Sequence, residues 1–211
     1  MYKIIFIGIA IGVASLIILA FVLYMMVPYR FVYQPINVAY VLEESYSFLL
    51  GAVLEELMFR GFLLVVFARL LGWRIGLLIM ALPFGLYHIA GGLSMIVSTT
   101  LFSFVFGLSF VLTRSLWAAI FAHATANILL HLITGLDGGS NSVYKLVLDG
   151  NWPVNYAVGL LTSVISALVT SVVLYVIILG KRHFNNSEIE HPKRRSPLEH
   201  RKKQILAKNP K

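Results

Sequence analysis

Cysteine is absent from the 211 residues. That excludes disulfides, iron–sulfur clusters, thiolate zinc sites and any thiol nucleophile. Charge is scarce as well: Asp, Glu, Lys and Arg make up 12% of the chain, against about 25% in soluble domains. Hydrophobic residues fill 59% of the sequence and mean hydropathy is +0.85, so an ordinary soluble domain is excluded. No internal repeat or low-complexity segment is visible, which weakens a transporter reading, because transporters usually carry repeats with broken helices in matching positions.

What charge there is has an uneven distribution. The formal net charge is +8, yet from Lys181 to Lys211 ten Lys or Arg stand against three Glu, so the basicity belongs to the C-terminal tail. Phe184 is the only aromatic residue among those charges, and nucleic acid is not an expected partner. A disordered cytoplasmic tail touching anionic lipid headgroups is the plainer expectation.

The apolar residues fall into runs of membrane-spanning length. Ile4–Val27 is long enough to cross the hydrocarbon core. It exceeds a signal-peptide h-region and lacks a small-residue cleavage site, so it reads as a retained helix. A linker from Pro28 to Glu44 follows, with aromatic residues suited to an interface. Further spans are expected at Ser45–Leu71, Ile75–Ala90, Leu93–Leu112, Leu116–Thr134 and Pro153–Leu179. The fold class is therefore all-α: a polytopic transmembrane helical bundle of about six spans. Residues 1–180 form the membrane domain, with a motif core at 51–130, and 181–211 form the basic tail. Lys3, Arg69, Arg74, Arg114 and the tail share one side, while Arg30 and Lys145 fall on the other. The bias toward basic residues inside places both termini in the cytoplasm of a multi-pass protein, expected in a bacterial plasma membrane.

Six ionisable residues interrupt these runs: Glu55, Glu56, Arg60, His88, His123 and His131. A charge at the bilayer centre costs about 2.5–3.5 kcal/mol on insertion scales, so such residues find partners or line a wet cavity. Glu56 and Arg60 are four apart and share a helix face, in the order that favours an ion pair. Glu55 points elsewhere and has no partner on its own helix, which suits a general base. His123 and Asn127 share a face of the fifth span and suit an oxyanion clamp. His88, near the outer end of the third span, is placed to help Glu55 hold a water. Singly, each feature has a structural reading. Glu56–Arg60 would be a buried ion pair, and His123–Asn127 and His131 would be helix-to-helix hydrogen bonds. Glu55 is the hardest to account for in that way.

Three segments in order resemble the CAAX protease and bacteriocin-processing family, also called the Abi family of intramembrane peptidases. They are Glu55-Glu56-Leu-Met-Phe-Arg60, Phe84-Gly-Leu-Tyr-His88 and His123-Ala-Thr-Ala-Asn127, the last preceded by Leu116-Trp117. The resemblance covers about Gly51 to Leu130. It implies a helical bundle and a glutamate-dependent endopeptidase acting on membrane-associated peptides or proteins. Glu55 and His88 would activate water, His123 and Asn127 would stabilise the oxyanion, and Glu56 with Arg60 would organise the site. Two histidines and a glutamate offer three zinc ligands in principle. No His-x-x-x-His spacing supports this, and the expected site is free of metal and cofactor. The alternative within the same fold is a non-catalytic membrane scaffold, or a bacteriocin self-immunity or envelope-regulating protein.

Overall fold

The computed structural model describes residues 1–134, 142–148 and 156–190, and side chains over 1–132, 142–147 and 158–181. The described helices form six rods, as the apolar runs imply. α1 spans Tyr2–Met26; α2 is Val38–Glu56, continued by a π-helical segment Leu57–Leu64 and by α3, Val65–Leu71. α4 is Trp73–Tyr87, α5 Gly92–Thr113, α6 Leu116–Thr134 and α7 Tyr156–Glu190. Three helical stretches, Tyr2–Met26, Ile89–Thr113 and Val158–Lys181, are long and apolar enough to cross a membrane, while those around α4 and α6 are apolar but shorter. Large apolar side chains such as Phe6, Ile17, Leu54, Phe62, Leu78 and Val172 face outward, as lipid-facing positions require. The molecule is an integral membrane helical bundle.

Several boundaries differ from those read in the sequence. The second rod begins at Val38 rather than Ser45, because Asn37 caps it. The Asn37 Oδ1 accepts from the backbone N–H groups of Ala39 and Tyr40, at 3.0 and 3.4 Å, satisfying two of the donors a helix start leaves open. The aromatic stretch of the linker is a strand, β1 (Tyr29–Tyr33), paired antiparallel with β2 (Tyr144–Leu148) so that Tyr29 faces Leu148 and Tyr33 faces Tyr144. Its rings pack edge to face, Tyr29 with Phe31 at 5.4 Å and Tyr33 with Tyr144 at 6.0 Å. Leu146 of β2 joins Leu23 and Val27 in a small apolar cluster at the end of α1. Met1–Tyr175 is one compact unit and Val176 begins a second. α7 stays helical to Glu190, past the Gly180 where the disordered tail was expected to start; residues 191–211 lie outside the described residues.

Close approaches between small residues set the packing. A Cβ on Gly8 would stand 2.6 Å from the Ala118 carbonyl oxygen, and one on Gly12 would stand 2.7 Å from that of Ala122. The Gly8–Gly12 spacing thus lets α1 lie directly on the backbone of α6. Ser166 of α7 donates to the Ser15 carbonyl of α1 at 2.7 Å. α4 turns back on α3 through Gly72, whose φ of +83° only glycine adopts without strain, and Gly76 then seats α4 against Ala68. α4 has 15 residues, about 22 Å of helix, and ends at His88 before the chain turns into α5.

Candidate active site

The second rod stops being α-helical immediately after Glu56. Its π-helical turn carries Arg60, and such wider turns are rare and concentrated at functional sites. Arg60 is fully buried. One terminal nitrogen donates to Glu56 Oε1 at 2.9 Å, and the other to the carbonyl and hydroxyl of Ser103 on α5, at 2.9 and 3.1 Å. The guanidinium carbon lies 4.3 Å from the centroid of the Phe84 ring and 5.6 Å from that of Phe106. The Glu56–Arg60 pair expected from the i, i+4 spacing is therefore present.

Glu56 has a second partner that spacing alone did not reveal. His123 of α6 sends Nδ1 to the same Oε1 at 2.9 Å. That oxygen already accepts from Arg60, so the histidine nitrogen is the donor and the proton on a neutral ring sits at Nδ1. The ring lies parallel to Phe106, 4.4 Å away and tilted by 14°, with Phe84 set edge-on at 5.9 Å. His123 Nε2 then faces Glu55 Oε2 at 3.9 Å.

His88 reaches the same oxygen from the end of α4. Its Nδ1 is 2.9 Å from the Phe84 carbonyl oxygen. A carbonyl only accepts, so here too Nδ1 carries the proton, and Nε2 is left to face Glu55 Oε2 at 3.6 Å. The Glu55 side chain is 16% exposed, while its Oε2 is buried and makes no hydrogen bond among the described residues. The Nε2 atoms of two imidazoles and a carboxylate oxygen thus face one another across gaps too long for direct hydrogen bonds.

The remaining residues singled out in the sequence lie further off. Asn127 is half-buried one turn along α6 from His123, and among the described residues it makes no hydrogen bond to Glu55, His88 or His123. His131, a further turn on, is buried with its ring 5.3 Å from Phe48 of α2, between helices rather than at the cluster. Sequence reasoning missed Ser103 and Phe106. Both sit in an apolar run without periodic marking, and only the return of α5 beside Arg60 reveals them. Among the described residues no group of three or more His, Cys, Asp or Glu side chains is arranged to hold a metal ion.

Residues 38–129 match the family model described as Rce1-like, type II CAAX prenyl endopeptidase Rce1-like. No curated protein and no solved structure matches the chain. The matched segment holds all three motifs and runs from the first turn of α2 into α6, so it contains Glu55, Glu56, Arg60, His88, His123 and Asn127 together. Through this segment, somewhat under half of its length, the chain is similar to the Rce1-like family of CAAX-type proteases, the group that its three motifs resemble.

Proposed function

We propose that this protein hydrolyses peptide bonds of membrane-associated peptides or proteins, with Glu55 as general base. The observation that carries the reading is the unpartnered buried Oε2 of Glu55, faced by His88 Nε2 at 3.6 Å and His123 Nε2 at 3.9 Å. A water between Glu55 and His88 donates one hydrogen to each and turns an oxygen lone pair toward the scissile carbonyl. As it attacks, its proton passes to Glu55, the new C–O bond forms and the carbonyl becomes an oxyanion. Collapse of that intermediate expels the amine, which takes the proton from Glu55.

His123 serves the oxyanion in a particular protonation state. With Nδ1–H held by Glu56, its Nε2 donates only when the ring is an imidazolium. The Glu56 carboxylate at 2.9 Å and the parallel face of Phe106 hold the ring with Nε2 turned toward the site. Asn127, one turn away, supplies the second donor once substrate occupies the site. Glu56 and Arg60 are positioning residues: they lock the His123 ring and the turn that follows Glu55. The reaction proceeds without metal.

The test is cleavage of a peptide library by purified protein in detergent. Glu55→Gln should lower turnover by about 10²–10⁴-fold and His123→Ala by about 10²–10³-fold, with a chelator leaving the native rate unchanged. Equal cleavage by all three chains would refute the assignment, and loss of activity on chelation would refute the metal-free mechanism.

A further inference from the structure

On the outer face of the bundle, α4, α5 and α7 leave an open groove of about 400 Å³. Its walls are apolar, built from Leu77 of α4, Leu101, Phe104 and Leu108 of α5, and Leu168 of α7. It lies along the first turns of α4, at the opposite end of that helix from His88. The mouth is different in kind. Arg74, Trp73 and Tyr175 stand there, an aromatic and cationic rim of the sort that marks a membrane–water interface.

The rim is held in place by its own contacts. Arg74 Nε donates to the Tyr175 hydroxyl at 3.1 Å, and the guanidinium carbon lies 5.2 Å from the Trp73 ring centroid and 5.9 Å from that of Tyr175. Nε is thereby used, while the two terminal nitrogens make no hydrogen bond among the described residues. One turn below Tyr175 on α7, Ser171 also lines the groove. Its Oγ is buried and has no hydrogen-bond partner among the described residues. From mouth to floor the lining therefore runs from a cation, to a hydroxyl donor one helical turn deeper, to hydrocarbon.

That gradient is the inverse of a glycerophospholipid, whose phosphate, ester carbonyl and acyl chain follow one another over the same kind of distance. We infer that the groove binds an anionic glycerophospholipid. The phosphate lies on the terminal nitrogens of Arg74, an ester carbonyl accepts from Ser171 Oγ, and one acyl chain lies between α4, α5 and α7. Charge decides between anionic and zwitterionic lipids. No acidic residue lines the groove, so the ammonium of a zwitterionic headgroup finds no partner there, while the Arg74 charge stays unopposed. The volume falls within the 300–1,000 Å³ usual for ligand pockets, and basic pockets between spanning helices are a recurring way of holding lipid headgroups.

Native mass spectrometry of the full chain, released from micelles containing phosphatidylglycerol and phosphatidylcholine with identical acyl chains, tests this. One phosphatidylglycerol molecule should bind about fivefold more tightly than phosphatidylcholine, the ratio that one basic residue at a membrane surface confers. Arg74→Gln should abolish that preference, and Arg114→Gln, an equal loss of charge outside the groove, should leave it intact. Ser171→Ala and Leu168→Trp should weaken both lipids alike, the first by losing the ester contact and the second by filling the groove. Equal binding of the two lipids by the native chain would overturn the inference. So would a preference that survives Arg74→Gln, or one that Arg114→Gln removes equally. Arg74 and Leu168 both point outward, so these variants keep the bundle intact, and the outcome does not depend on whether the chain is a protease.

Discussion

At the scale of single residues, one carboxylate oxygen serves two masters. Glu56 Oε1 accepts from Arg60 of its own rod and from His123 of α6, so it ties the fold and the chemistry together. Breaking a buried ion pair by removing one partner costs about 3–5 kcal/mol, whereas replacing both with apolar groups is often neutral. Glu56→Gln should accordingly lower the unfolding midpoint in detergent, and the double change Glu56→Leu with Arg60→Met should recover much of that loss. Activity should not recover with it, because His123 still lacks the anion that fixes its ring. Parallel recovery of stability and turnover would show that Glu56 acts through the fold alone. The sequence made the Arg60 half of this arrangement legible, since four residues along a helix is a local relation. The His123 half depends on α6 arriving beside α2, 67 residues later, and nothing in the spacing of either helix encodes that.

At the scale of elements, two features decide where Glu55 lies. The first is the π-helical turn Leu57–Leu64, which amounts to an extra residue in an otherwise regular helix. Deleting Met58, which faces outward, should restore α-helical winding and rotate Glu55 and Glu56 by roughly 100° relative to Arg60 and α3. Helix content by circular dichroism should stay the same while peptide cleavage disappears; retained cleavage would mean that the wide turn is incidental. The second feature is the seat of α1 on α6. Gly12→Leu should loosen the bundle and lower its thermal midpoint, since even a Cβ there would stand 2.7 Å from the Ala122 oxygen and 2.8 Å from Thr125 Cβ. Gly51→Ala should be neutral or mildly stabilising, because nothing lies within 4 Å of that position. Equal effects of the two changes would count against the close α1–α6 contact. The six rods themselves were legible as apolar runs. The π-turn was not, because its residues read as ordinary helix formers. The strand pair was not, because β1 finds its partner more than a hundred residues away and both strands are short.

At the scale of the whole molecule, function follows from how far each rod reaches. The resemblance to CAAX-processing peptidases rested on three short motifs. They could be read from the sequence because each is local to one rod or its end, and the bundle then brings Glu55, His88 and His123 to a single point. α4 gives that point its depth. At about 22 Å it falls short of a hydrocarbon core about 30 Å thick, and His88 sits at its tip. A spanning element shorter than the bilayer can be accommodated by thinning of the membrane around it, and α4 is such an element. Such thinning would let water reach Glu55 from the tip of α4. Turnover in vesicles should therefore decline as acyl chains lengthen from fourteen to twenty-two carbons, while the unfolding midpoint changes little. A rate indifferent to chain length would mean that solvent enters by another route. The enzyme's clock would in that sense be set by its host membrane: thin regions would switch proteolysis on and thick ones would hold it off.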